Sequence, residues 1–285
     1  MRSTGDLVIR RAAAADRRLV QSLLSQARWR HFHLDWRDPI DLLDREPNLL
    51  AFLGDRLVAH LAAPPDPPGA AWLRSFCVDA ALTPLSTWRP LWAEAAASCT
   101  AHDVLRVASL LSGDWMRPLL TEAGFRETNA VVFFEWRRQP MPEPPPNPAT
   151  PRRLTSRDLP DVVRVDERAF GLLWRNGVES LAAAMQQSIV ATGIEVDGRL
   201  VGYQLTTASP FGAHLARLAV DPDHQGRGLA TTLVIDLTRR LAARGFDAVT
   251  LNTQADNVRS QDLYRRLGFR ETGQRYPVFE TTLAP

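Results

Sequence analysis

The hydrophobic pattern of residues 151–285 switches repeatedly between a helical and an extended period. From Thr155 to Phe170, the apolar residues Leu159, Val162, Val163 and Ala169 recur at helical spacing. Thr155 stands where a cap is needed and Asp158 lies three residues on. Ile194-Glu195-Val196 and Leu200–Leu205 flank Asp197-Gly198, a pair that favours a tight hairpin. His214 to Val220 is mostly apolar and reads as a strand. After a polar loop, Gly228 to Ala243 regains helical periodicity and ends ahead of Gly245. Ala248–Asn252 reads as the next strand and Asn257–Leu267 as a helix stopped by Gly268. Phe269–Leu283 reads as two more short extended runs. Alternation of this kind implies a mixed α/β layer structure, with some parallel pairing around the central helix.

The same pattern occurs twice. Gly124–Thr128 reads Gly-Phe-Arg-Glu-Thr and recurs at Gly268–Thr272, an offset of 144 (268 − 124). Arg56-Leu57-Val58 recurs as Arg199-Leu200-Val201, and Val78-Asp79 as Val220-Asp221. Arg10-Arg11 with Asp16 recurs as Arg152-Arg153 with Asp158. Matches in one order at nearly one spacing indicate two copies of a whole domain, because the period is too long for a solenoid repeat. The copies are expected at 1–138 and 151–285. Between them, 139–150 contains the proline-dense Pro140–Pro148, an extended and semi-rigid linker.

Composition narrows the function. The chain has 285 residues, 45% hydrophobic and 23% charged, the balance of a soluble globular protein with core enough for two domains. Its 34 basic residues, all arginine, nearly offset 32 acids, leaving +2. So small a net charge provides no footprint for nucleic acid or an anionic membrane. Cys77 and Cys99 have neither a disulfide framework nor metal-ligand spacing around them, so no metal is expected and a reduced compartment fits. Met1 to Arg18 is broken by charge, and no run approaches the ~20 apolar residues that span a bilayer. A cytoplasmic location is expected.

The chemistry concentrates between the strand ending at Val220 and the helix opening at Gly228. Gly226 and Gly228 let the main chain turn sharply, and the helix start directs free amides back at the loop. This is an arrangement for an anion such as a pyrophosphate. Three readings stand: a plain connecting turn, a dinucleotide fingerprint, and an acyl-CoA site. The second needs a third glycine where Thr231 stands. The third matches Gln225, Gly228 and Ala230 as Q-x-x-G-x-A.

That segment closely resembles the GNAT superfamily of acyl-CoA N-acyltransferases. Further on, Asn257 opens a helix, Tyr264 follows seven residues later and Gly268-Phe269 closes it, which is similar to the family's second motif. The resemblance covers 151–285. It implies two tandem GNAT-like domains of α+β class, each a mixed, mostly antiparallel twisted sheet flanked by helices. It further implies acetyl-CoA as cosubstrate, its pantetheine arm held by the main chain of Leu218, Ala219 and Val220. Its pyrophosphate would rest on the amides of Gln225, Gly226, Arg227, Gly228, Leu229 and Ala230. Asn257 would contact the arm or the loop, and Tyr264 would protonate the departing thiolate. Taken alone, Tyr264 also reads as a packed aromatic and Asn257 as a helix cap. The carboxylate that many family members carry on the strand before the loop is missing. His214, Glu195 and a chain of water molecules are the candidates in its place.

The N-terminal copy lacks these residues. Gln225–Ala230 falls on Thr83–Trp88, which has no glycine and includes Pro84; Tyr264 falls on Leu120 and Asn257 on Gly113. Trp29, His31, His33 and Trp36 are candidates for an acceptor wall, and Phe170, Leu172, Leu173 and Trp174 are better placed ones. The expected activity is transfer of an acetyl group to a primary amine of a small molecule or peptide, with homodimerisation left open. A non-catalytic acyl-CoA sensor is the alternative, and tandem architecture with one competent copy is similar to mycothiol-synthase-like enzymes.

Overall fold

The computed structural model describes residues 7–34, 36–146, 149–209 and 212–283. Residues 1–6, and Asn147 and Pro148 of the proline-dense segment, lie outside the described residues. The chain forms two compact units, Met1–Thr128 with Pro277–Pro285, and Asn129–Tyr276.

The first unit runs β1 (Val8–Arg11), α1 (Arg17–Gln26), β2 (Trp29–Phe32), β3 (Asn48–Leu53), β4 (Arg56–Ala62), β5 (Ala70–Trp72), β6 (Ser75–Val78), α2 (Pro84–Ala101), β7 (Arg106–Leu110) and α3 (Arg117–Glu122). It also takes the first residues of β8 (Arg126–Arg137). One sheet has the antiparallel order β1-β3-β4-β6-β2. Beside it, β5 runs parallel to β7, and β7 pairs antiparallel with Val278–Thr282 at the end of the chain. Phe76, Trp88, Leu91 and Met116 fill the core, where each large buried side chain contributes roughly 1.5–3 kcal/mol.

The second unit continues β8 and adds β9 (Arg152–Arg153), α4 (Leu159–Ala169), α5 (Val178–Gln187), β10 (Val190–Val196), β11 (Arg199–Ser209) and β12 (Gly212–Val220). These are followed by α6 (Leu229–Ala242), β13 (Ala248–Gln254), α7 (Val258–Arg266) and β14 (Arg270–Thr282) as far as Tyr276. Its sheet reads β9-β10-β11-β12-β13-β8; only β12 and β13 run parallel. Asp197 and Gly198, at φ +52° and +75°, make the tight turn that joins β10 to β11. Val234, Ile235, Leu237 and Leu241 of α6 pack with Leu215, Val249 and Leu251 of the sheet and with Phe134 and Trp136 of β8.

Both units are therefore mixed, mostly antiparallel α/β layers, and the sequence repeat has a structural counterpart inside each. Arg10 pairs with Asp16 at 2.6 Å and Arg152 with Asp158 at 2.6 Å, fixing the same turn into the first helix. Two features differ from the sequence reading. Strand residues Val131–Arg137 count with the second unit and Val278–Thr282 with the first, because their ladder partners are β13 and β7. And 270–282 is one strand, in which Gly273 sits at φ +80° and the Pro277 carbonyl still accepts from Leu111 N–H at 2.8 Å.

Candidate functional site

Strand β12 parts from its parallel neighbour halfway along. Pairing with β13 covers Ala213, His214 and Leu215 and stops there. On the other side β12 stays paired with β11 to its end, with a bulge at Ala216 between the Arg217 and Leu215 positions. A bulge adds a residue and bends the strand, which opens a gap between β12 and β13. Asp221 N–H bonds the Val201 carbonyl at 2.8 Å, so alternation turns the main-chain groups of Leu218 and Val220 away from β11 and toward the gap. Gln225 Nε2 occupies one of these, donating to the Val220 carbonyl at 3.0 Å.

The gap leads into the start of α6. Gly226 and Gly228 both hold positive φ, +80° and +78°, in the left-handed region that a side chain resists. The first helical bond runs from Thr232 N–H to the Gly228 carbonyl, so the amides of Leu229, Ala230 and Thr231 have no partner within the helix. Leu218, Ala219, Val220, Gln225, Gly226, Gly228, Leu229, Ala230 and Asn257 line one cleft of about 470 Å³. Of the expected loop residues, Arg227 alone turns away, its guanidinium donating to the Asp223 carbonyl at 3.2 Å.

Helix α7 forms the facing wall through Arg259, Ser260, Leu263 and Arg266. Asn257 caps this helix, its Oδ1 accepting from Ser260 N–H at 3.1 Å. Tyr264 lies one residue from the cleft-lining Leu263 and packs against Phe134 and Phe269, with ring centroids 6.1 and 5.7 Å away. Burial pushes its hydroxyl above the ordinary phenol range, so it stays protonated. Among the described residues nothing hydrogen-bonds that hydroxyl.

A network that sequence reasoning missed lies behind Leu218. Asp166 of α4 is wholly buried and accepts from Arg217 Nε at 2.7 Å, Arg217 Nη2 at 2.8 Å, Tyr203 Oη at 2.5 Å and Asn176 N–H at 3.0 Å. Arg217 also donates to the Trp174 carbonyl at 2.8 Å and lies 3.6 Å from the centroid of the Phe170 ring, itself a cleft residue. Of the expected acceptor wall, Phe170 thus reaches the cleft, Leu173 is core and Leu172 is exposed. His214 bonds Thr250 Oγ1 at 2.9 Å, and burial lowers its pKa to about 4, so the ring is neutral. Glu195 pairs with Arg152 at 2.5 Å on β10, outside the cleft.

Residues 152–269 match the Acetyltransferase (GNAT) family model. Over this segment the chain is similar to that family. The chain is 33% identical over 126 residues to a mycothiol acetyltransferase of Clavibacter michiganensis subsp. michiganensis, 41% of each protein. It therefore spans well under half the length of that relative. It is 29% identical over 129 residues to the [ribosomal protein bS18]-alanine N-acetyltransferase of Escherichia coli K12, 45% of this chain and 86% of that one. A tandem GNAT protein from the clavulanic acid biosynthesis pathway shares the fold with TM-score 0.63 and 17% identity, over 98% of this chain and 99% of that one. The GNAT fold thus recurs in tandem across both units.

In the first unit the corresponding positions are filled by the unit itself. Ser75–Val78, the counterpart of the β12 end by the Val78/Val220 repeat, pairs with β4 on one edge and with all four residues of β2 on the other. His31 of β2 is buried, with one ring nitrogen 3.0 Å from the Leu73 carbonyl and the other 2.8 Å from Ser112 Oγ. Thr83 caps α2 by accepting from Ser86 N–H at 3.4 Å, and Pro84 has no N–H to offer. The counterpart of β2 in the GNAT segment, Gly171–Trp174, is a turn (a 3-10 helix at Leu172–Trp174) and leaves the β12 edge open.

Proposed function

We propose that the second unit transfers an acetyl group from acetyl-CoA to a primary amine of a small molecule or peptide by direct attack. The observation that carries this is the continuity of an unpaired strand edge, Leu218 to Val220, with a glycine-opened helix start in a single cleft. An extended amide-bearing arm suits the first and a diphosphate suits the second. The amides of Gly226 to Ala230 would hold the diphosphate. The main-chain groups of Leu218 and Val220 would pair with the arm, and an amide of this strand would polarise the thioester carbonyl. Acetyl-CoA supplies the activated acyl group. Asn257 would fix the arm, and Tyr264, neutral and without a competing partner, would give its proton to the leaving thiolate as the C–S bond breaks, while the proton that the attacking amine sheds would pass to solvent and restore the phenol. Both named relatives are acetyltransferases, one of them acting on an alanine of a ribosomal protein, which supports an amine acceptor.

The first unit is proposed to lack the acyl-CoA site and to serve as scaffold, because β2 takes the edge that the arm would use. The experiment for the whole reading is release of free thiol from acetyl-CoA over a panel of small amines and peptides with a free N-terminal alanine. Turnover on one of these, lost in Tyr264→Phe, supports it. Coenzyme A binding with no turnover on any amine would instead mark a sensor.

A further inference from the structure

The cleft holds more positive charge than a diphosphate on backbone amides requires. Arg259 and Arg266 line it from α7, with Leu263 between them; spacings of four and three place all three on one helix face. His224 also lines it, and no Asp or Glu is among the described lining residues. The other arginines nearby are used internally. Arg265 pairs with Asp262 at 3.4 Å and Glu271 at 3.5 Å, and Arg227 donates to the Asp223 carbonyl. Arg259 donates only to a neutral group, Gln225 Oε1, at 2.5 Å. Because Gln225 is itself tied to the Val220 carbonyl, this bond aims the guanidinium without neutralising it. Arg266 has no hydrogen-bond or ion-pair partner among the described residues.

A guanidinium carries five donors in a planar fork suited to phosphate oxygens. Two such groups, charged and uncompensated, line the same cleft as the loop proposed to hold the diphosphate. Coenzyme A carries a further phosphate, the 3′-monoester, with a charge of about −1.5 to −2 at neutral pH. Building on the acyl-CoA reading above, we infer that Arg259 and Arg266 form a subsite for this 3′-phosphate and make the protein discriminate against nucleotides that lack it.

Calorimetry on the full chain with coenzyme A and with 3′-dephospho-coenzyme A tests this. The wild type is expected to bind coenzyme A at least about tenfold more tightly, the effect of one charge-assisted contact. Arg259→Gln and Arg266→Gln are expected to weaken coenzyme A binding and leave the dephospho compound unaffected, so that the preference shrinks. Arg259→Lys, which keeps the charge, should retain part of it. Equal wild-type affinity for the two compounds overturns the inference and needs no variant to fold. Loss of both affinities by one factor in Arg259→Gln assigns that arginine to the diphosphate and also overturns it. Failure of the wild type to bind either compound would remove the acyl-CoA reading itself.

Discussion

Arg217 grips Asp166 through two parallel hydrogen bonds of 2.7 and 2.8 Å, and this carboxylate has no exposure to solvent. The pair ties β12 to α4 one residue before the proposed pantetheine edge. Removing one member of a buried pair leaves the other uncompensated, so Asp166→Ala is expected to cost about 3–5 kcal/mol in urea denaturation. Tyr203→Phe removes one donor to the same carboxylate and is expected to cost about 1.5–3 kcal/mol. The two changes should not add, since they act on one network.

Tyr264→Phe keeps the ring that packs on Phe134 and Phe269, so the melting midpoint should hardly change. If the hydroxyl is the acid, kcat on an accepted amine falls by about 10²–10⁴. Since burial raises its pKa above the ordinary value of 10.0, the wild-type rate should show no alkaline limb from this group below that pH. An unchanged kcat in the variant would reduce Tyr264 to a core aromatic.

Gly228→Ala and Gly245→Ala form a matched pair. Both positions have left-handed φ, +78° and +82°, so each substitution is expected to destabilise by about 1–2 kcal/mol. Only Gly228 opens α6 at the cleft, and only its replacement should weaken coenzyme A binding. Equal affinities in the two variants would remove the loop from the site.

Titrating calorimetrically, the full chain should bind one coenzyme A. A second equivalent, persisting when Gly228→Ala has disabled the first, would show that β2 yields its place on β6 to the nucleotide.

Acid should loosen the first unit before it protonates most carboxylates. Burial lowers the pKa of His31 and of His60 from 6.5 to about 4, so the folded state keeps both neutral while the unfolded chain takes up protons. The stabilisation is complete above 6.5 and falls as pH drops toward 4, by at most about 1.4 kcal/mol per pH unit for each ring. His60 bridges Asn48 at 2.8 Å and Ser75 at 3.2 Å, so His60→Gln lowers stability at pH 7 and flattens the slope between 6.5 and 4. A slope unchanged in that variant would exclude His60 as its source.

The glycine-opened turn into α6 was legible because its signal is local: two glycines, a strand before and a helix after, all within Val220–Ala242. The cap at Asn257 and the repeated Arg–Asp turns were legible for the same reason. The gap between β12 and β13 was not, since it depends on where pairing ends and on one extra residue at Ala216. Nor was the Asp166–Arg217–Tyr203 cluster, whose members come from three elements and meet only once the sheet has formed. The two short runs read over Phe269–Leu283 are one strand, Arg270–Thr282, whose last residues are held by β7.

Since Val278–Thr282 completes a ladder of the first unit and Val131–Arg137 one of the second, the proline-rich segment is no place to divide the gene. Expressing 151–285 alone would omit Phe134 and Trp136 from the packing around Tyr264 and expose the edge of β13. Expressing 1–138 alone would leave β7 without Val278–Thr282 and the core without Phe279. On the ribosome the earlier-made unit must likewise wait for Val278–Thr282 before its β7 ladder can form.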